Sequence, residues 1–84
     1  IRVNSISPGS VRTPLLEFSA RELATNGKSV GEMLAEFAAS HPVGRVGTPA
    51  DISAMIAYLC SDAAGFVTGA DMLVDGGLTA QLGV

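Results

Sequence analysis

Few side chains in this 84-residue chain are placed to do chemistry, and the most informative run opens it: IRVNSISPGSVRTP, from Ile1 to Pro14. The pattern is a strand that stops at Pro8-Gly9 and a helix that restarts at Thr13-Pro14. At the carboxyl end of a parallel strand, such a turn is where open α/β sheets hold their ligands. Taken by itself the string fits two readings. One is a binding loop; the other is a strand-ending turn at Pro8-Gly9 followed by Thr13 as a plain N-cap.

The remaining chemistry-bearing residues invite weaker readings. His41 precedes Pro42 at a helix exit with no catalytic constellation around it, and is expected to cap the helix or face solvent. Cys60 is the one cysteine, so it forms no internal disulfide and no multi-thiolate metal site. Its place on the apolar side of a helix predicts a small buried hydrophobe rather than a nucleophile. Asp71 and Asp75 flank a strand without other oxygen-rich ligands nearby, which suits polar strand-end and turn residues and leaves no metal site expected.

The elements that position these residues follow from periodicity and capping. Ile1 to Ser7 reads as a strand buried mostly on both faces, ended by Pro8. Thr13 as N-cap and Pro14 at the first helical position start a helix to about Ala24, where Asn26-Gly27 interrupts it. Ser29 and Glu32 form a capping-box pattern, after which Val30, Met33, Leu34, Phe37 and Ala38 share one apolar face. His41-Pro42 ends that helix, because a residue before proline avoids the α region. Thr48, Pro49 and Asp51 open a third helix whose stripe of Ile52, Met55, Ile56, Leu59 and Cys60 is expected to lie on the sheet. Ala70 to Val74 reads as a second strand ended by Asp75-Gly76-Gly77. Strand, helices, strand makes one crossover unit with parallel strands and an expected right hand.

Composition sets the outer bounds. A hydrophobic share of 48%, with ten glycines, argues against disorder and for an α/β interior rich in small residues. A chain this short buries only roughly 60–65% of its unfolded surface, so modest stability is expected. Net charge is −3 and the five cationic residues are scattered, so no nucleic-acid partner is expected. No apolar run approaches the roughly 20 residues that cross a bilayer, so a soluble, cytoplasmic protein without a membrane partner is expected.

The opening segment, together with HPVGRVGTPADIS and FVTGADMLVDGG, resembles the carboxyl-terminal part of the classical short-chain dehydrogenases/reductases, which are nicotinamide-dependent α/β oxidoreductases. The likeness spans almost the whole chain. It implies an α/β fold, the carboxyl-terminal part of a Rossmann-like doubly wound parallel sheet, with residues 1–84 belonging to one NAD(P)-binding domain and 15–40 forming a substrate lid. The chain opens on Ile1, inside a strand and without an initiator Met, so a longer protein is expected. Similar proteins are often tetramers, and the apolar tail carrying Leu78, Leu82 and Val84 is expected to support a homo-oligomer, tetramer or dimer.

In that family the backbone just after the Pro-Gly pair holds the nicotinamide carboxamide, and a threonine four residues beyond the glycine bonds the amide or pyrophosphate. Pro8, Gly9, Val11 and Thr13 occupy those places. Gly9 would let the backbone approach the ring, Val11 would read an amide with its N–H and C=O, and Thr13 lies at a helix start suited to an anion. Leu15, Leu16 and Phe18 are candidates for substrate contact, with ordinary helix packing an equal reading. An apolar lid favours a lipophilic or cyclic carbonyl over a sugar. Arg45 resembles a family loop arginine that braces its loop through backbone or carboxylate bonds.

The implied reaction is hydride transfer between NAD or NADP and an alcohol/carbonyl pair. The family performs it with a Ser, a Tyr and a Lys four residues after the Tyr. Tyr58 is the only tyrosine, and Asp62 stands four residues later, so this segment supplies no catalytic residue and alone is expected to be inactive. The family's glycine-rich phosphate loop is also absent from it. A non-catalytic dinucleotide-binding or scaffold protein with the same fold is the alternative.

Overall fold

A computed structural model of the chain describes residues 1–24 and 27–81. Asn26 of the expected helix break, and Leu82 and Val84 of the expected assembly tail, lie outside the described residues. Strand β1 (Ser5–Pro8) is followed by helices α1 (Pro14–Leu23), α2 (Val30–Ala39) and α3 (Pro49–Leu59) and by strand β2 (Asp71–Val74). Short 3-10 turns at Asp62–Ala64 and Leu78–Ala80 flank β2.

The two strands pair in parallel, with Ser5 opposite Asp71 and Pro8 opposite Val74. Pairing starts at Ser5 rather than at Ile1 because the Asn4 side chain stands in for the ladder. Its amide nitrogen donates to the Val67 carbonyl at 3.0 Å and its oxygen accepts from the Ala70 N–H at 3.0 Å. Pro8, expected to end the ladder, is its last paired residue, where a missing N–H matters little. On one face of the pair the Ser5 and Ser7 hydroxyls donate to Asp71 at 2.8 and 2.9 Å, so the strand-end aspartate serves the sheet itself.

Each helix begins where its cap was expected. Thr13 Oγ1 accepts from the Leu16 N–H at 3.3 Å and Ser29 Oγ from the Glu32 N–H at 3.1 Å. Thr48 and Asp51 complete a reciprocal capping box, with the Thr48 N–H donating to the Asp51 carboxylate at 2.7 Å. Caps of this kind are each worth about 1 kcal/mol. Helices α1 and α2 pack on one another, burying Ala20 and Met33. Burial of a side chain such as Met33 contributes about 1.5–3 kcal/mol.

The core is thin. Among the described residues, the buried hydrophobic side chains are Ala20, Met33, Leu59 and Ala64, and no large side chain is fully enclosed. The accessible surface of 5757 Å² exceeds the roughly 4,650 Å² of a compact protein of 8.5 kDa. The radius of gyration of 15.4 Å likewise exceeds the roughly 12 Å of a close-packed chain of this length. Part of the uncovered surface is apolar. A groove of about 470 Å³ runs between β1 and α3, lined by Val3, Ile6, Ile56, Leu59 and Cys60.

That groove corrects two sequence-based expectations. The first strand is not buried on both faces, since Ile1 and Val3 are exposed. Cys60 is exposed rather than buried, although Ile56, Leu59 and Cys60 of the expected stripe do line the groove beside Ile6. A two-stranded sheet cannot cover both sides of a helix stripe, so apolar pattern and actual burial part company here.

Candidate functional site

Three loops meet at the carboxyl ends of β1 and β2: the turn from Gly9 to Arg12, the loop from His41 to Gly47, and the Asp75-Gly76-Gly77 turn. The first two are joined by an isolated parallel bridge centred on Val11 and Gly47. The Gly47 N–H donates to the Ser10 carbonyl at 2.8 Å and the Arg12 N–H to the Gly47 carbonyl at 2.9 Å. In a planar trans peptide the C=O and the following N–H point in opposite directions. Tying the Ser10 C=O to Gly47 therefore aims the Val11 N–H away from Gly47, and tying the Arg12 N–H aims the Val11 C=O the same way. Neither Val11 group has a hydrogen-bond partner among the described residues. The result is an adjacent donor and acceptor on one backbone edge, the complement of a primary amide.

Thr13 follows two residues later as the N-cap of α1, which places its hydroxyl beside the positive end of the helix. One lone pair of that hydroxyl holds the Leu16 N–H, and its proton has no acceptor among the described residues. The cap reading of Thr13 and a binding reading are thus compatible on one side chain. Pro8 closes the strand, and the Gly9 N–H donates to the Val74 carbonyl at 3.1 Å.

Gly9 also has a packing reason that its sequence position does not suggest. A Cβ built there would lie 2.9 Å from Asp75 Cα, 2.9 Å from His41 Nε2 and 3.0 Å from Asp75 Cβ. The glycine makes room for the neighbouring loops. Gly76, at φ +59°, has the same character, since a Cβ there would meet Val43 Cγ2 at 2.6 Å.

His41 was missed as a site residue. It is 3% exposed, so the solvent-facing expectation is wrong, while the capping expectation holds. Its Nδ1 lies 2.7 Å from the Phe37 carbonyl in the last turn of α2, and its Nε2 accepts the Ser10 N–H at 3.1 Å. The neighbouring Ser40 hydroxyl, 3.3 Å from Nδ1, is spent on the same Phe37 carbonyl at 2.7 Å, so the pair is no nucleophile and base. The sequence signal was only the side-chain type: a rigid ring with a polar atom at each end can cap a helix with one and reach outward with the other.

Charged groups brace the loops. The Arg45 guanidinium donates to both Asp51 carboxylate oxygens, at 2.8 and 3.3 Å, and to the Val46 carbonyl at 3.1 Å. Its bonds, and then the Thr48 N–H, hold the Asp51 carboxyl well below the usual carboxylate range. Asp75 is also lowered, first by the Thr79 hydroxyl at 2.6 Å and then by backbone N–H groups of Thr79 and Gly77. Between the loops lies a cavity of about 200 Å³ lined by Gly9, Ser10, His41, Arg45, Asp51 and Asp75 among others.

The lid candidates separate. Leu15 and Phe18, three residues apart on α1, are 74% and 53% exposed, whereas Leu16 is half-buried. Tyr58 stands exposed on α3, away from the three loops. Among the described residues no cluster of His, Cys, Asp and Glu is arranged to hold a metal, and no helix is long and apolar enough to cross a membrane.

The parallel strand pair with its crossover helices is that of an α/β protein, and comparison with known proteins gives the family. The chain belongs to the short-chain dehydrogenase/reductase family, residues 1–79 matching the family model described as enoyl-(acyl carrier protein) reductase. It is 39% identical over 82 residues to a cyclohexanol dehydrogenase of Acinetobacter sp. (strain SE19), covering 96% of this chain and 27% of that protein. It is 40% identical over 77 residues to an L-2,3-butanediol dehydrogenase of Corynebacterium glutamicum, covering 90% of this chain and 30% of the relative. The L-sorbose reductase of Gluconobacter frateurii, solved with NADPH and L-sorbose, superposes with a TM-score of 0.86 at 34% identity, over 98% of this chain and 32% of that one. The chain therefore spans about a third or less of these relatives. The α/β, Rossmann-like assignment made from sequence stands.

Proposed function

We propose that these residues form one wall of the nicotinamide site of an NAD(P)-dependent oxidoreductase acting on an alcohol/carbonyl pair. The observation that carries the reading is the N–H and C=O of Val11, without partners among the described residues and held to one side by the bridge to Gly47. The donor set fits the group: the Val11 N–H would donate to a carboxamide oxygen and the Val11 C=O would accept from its nitrogen. Both contacts together would fix which face of the ring meets the substrate. The Thr13 hydroxyl would donate to the amide or to pyrophosphate at the α1 amino terminus, where an anion is favoured. When bound, the cofactor supplies or accepts the hydride.

The proton must be handled elsewhere, since these 84 residues contain no Tyr-x-x-x-Lys. Leu15 and Phe18, exposed on α1, would contact substrate and exclude water, with Leu16 supporting them from the packed side. Their character favours a lipophilic or cyclic carbonyl. The cyclohexanol dehydrogenase relative is consistent with that preference, while the L-sorbose reductase shows that the family also accommodates sugars. The whole protein is proposed to work as a dimer or tetramer.

The test is a fluorescence titration of the full-length protein with NADH and NADPH, followed by turnover on matched panels of cyclic ketones and polyols. Saturable binding with reduction of a carbonyl is expected. Binding without turnover of any alcohol or carbonyl would favour a non-catalytic dinucleotide binder, and no binding would overturn the reading.

A further inference from the structure

The loop that presents Val11 is anchored one peptide at a time. The Pro8–Gly9 peptide is held through the Gly9 N–H on Val74, and the Ser10–Val11 and Val11–Arg12 peptides are held by Gly47. The peptide between them, Gly9–Ser10, has its N–H on a side chain, His41 Nε2, at 3.1 Å. Because the Ser10 N–H can only donate, Nε2 is the accepting nitrogen and carries no proton; Nδ1 carries it and donates to the Phe37 carbonyl at 2.7 Å. The ring is 3% exposed and bonded at both nitrogens, so turning it would break those bonds.

We propose that His41 is a positioning residue of the cofactor loop, a rigid strut that sets the Gly9–Ser10 peptide and couples it to the last turn of lid helix α2. The proposal rests on the assignment of the Val11 edge to the nicotinamide cofactor. Movement of α2 is transmitted through the imidazole to the residue before Val11, so lid position and carboxamide recognition are linked by one side chain. The sequence-adjacent Pro42 keeps the chain from relaxing away as a continued helix.

The two ring nitrogens allow the roles to be separated. In the full-length protein, His41→Gln retains an acceptor at the reach of Nε2, whereas His41→Asn retains only a donor at the reach of Nδ1. Three quantities are read: NADH and NADPH affinity by fluorescence, amide exchange at Ser10, and the thermal midpoint without cofactor. We expect His41→Asn to lose Ser10 protection and to weaken cofactor binding about tenfold, as loss of one positioned hydrogen bond allows. His41→Gln is expected to keep both within roughly threefold of the parent. Equal affinities for the two variants, or lost Ser10 protection with unchanged affinity, would overturn the positioning role and leave the cofactor site standing. Failure of the unsubstituted protein to bind either nucleotide would overturn the site assignment, and this inference with it.

Discussion

Replacing Gly9 with alanine tests the packing of the three loops directly. The added methyl would sit 2.9 Å from Asp75 Cα and 2.9 Å from His41 Nε2, against the roughly 3.5–4.0 Å of an ordinary carbon contact. Neither obstacle can swing aside. Asp75 Cα is backbone in a turn fixed by Gly76, and moving His41 breaks the Ser10 bond. Overpacking of this kind costs about 1–3 kcal/mol. The entropy gained by removing a glycine from the unfolded chain returns only about 0.4–1 kcal/mol, so the clash wins. In a protein of a few hundred residues the thermal midpoint should fall by about 2–4 °C for each kcal/mol lost. Gly31→Ala is the matched control. It lies in α2 with Ser29 Oγ at 3.8 Å as the nearest neighbour, and the same change there is expected to raise stability by up to about 1 kcal/mol. Differential scanning calorimetry of the two full-length variants decides. A Gly9→Ala protein that melts with the parent would refute the reasoning.

Other perturbations have equally definite outcomes. The Asp51 carboxyl is held below its ordinary value, so its contribution is complete above the unfolded carboxylate range near pH 4 and is lost as pH falls through the folded value. Asp51→Asn should therefore melt below the parent at neutral pH, with the gap closing in acid; a gap that widens in acid would contradict the assignment. Added salt should narrow the neutral-pH gap, because the Arg45–Asp51 pair is partly exposed. Leu15→Ser with Phe18→Ser should raise KM for lipophilic carbonyls roughly tenfold or more, from lost apolar contact, with cofactor affinity unchanged. Preferential loss of polyol turnover would refute the substrate preference. Deleting Leu78 to Val84 from the full-length protein should weaken its assembly, and an unchanged mass by light scattering would count against that role.

The local signals in the chain proved more legible than the long-range ones. Thr13-Pro14, Ser29 with Glu32, and Thr48-Pro49 with Asp51 each mark a helix start, because a cap is decided by residues within one turn. Gly76 and Gly77 end β2 with positive φ for the same local reason. The beginning of β1 was misplaced because Asn4 bonds to Val67 and Ala70, more than sixty residues away, which no local pattern encodes. Cys60 and Ile56 have the spacing of buried residues, but spacing reports which side of a helix they share and not whether anything covers it. His41 illustrates the same limit at the site. Its role depends on Ser10 approaching from thirty-one residues away, and Gly9 is required there by two loops distant in sequence.

The claim on which the functional reading turns is that the Val11 backbone edge receives the cofactor, and amide hydrogen exchange at single-residue resolution addresses it most directly. In the full-length protein without nucleotide, Arg12 and Gly47, both hydrogen-bonded, should exchange slowly while Val11 exchanges fast. Saturating NADH or NADPH should then slow Val11 by about tenfold or more and leave Arg12 and Gly47 nearly unchanged. A Val11 amide that stays fast while the nucleotide is bound would contradict the account.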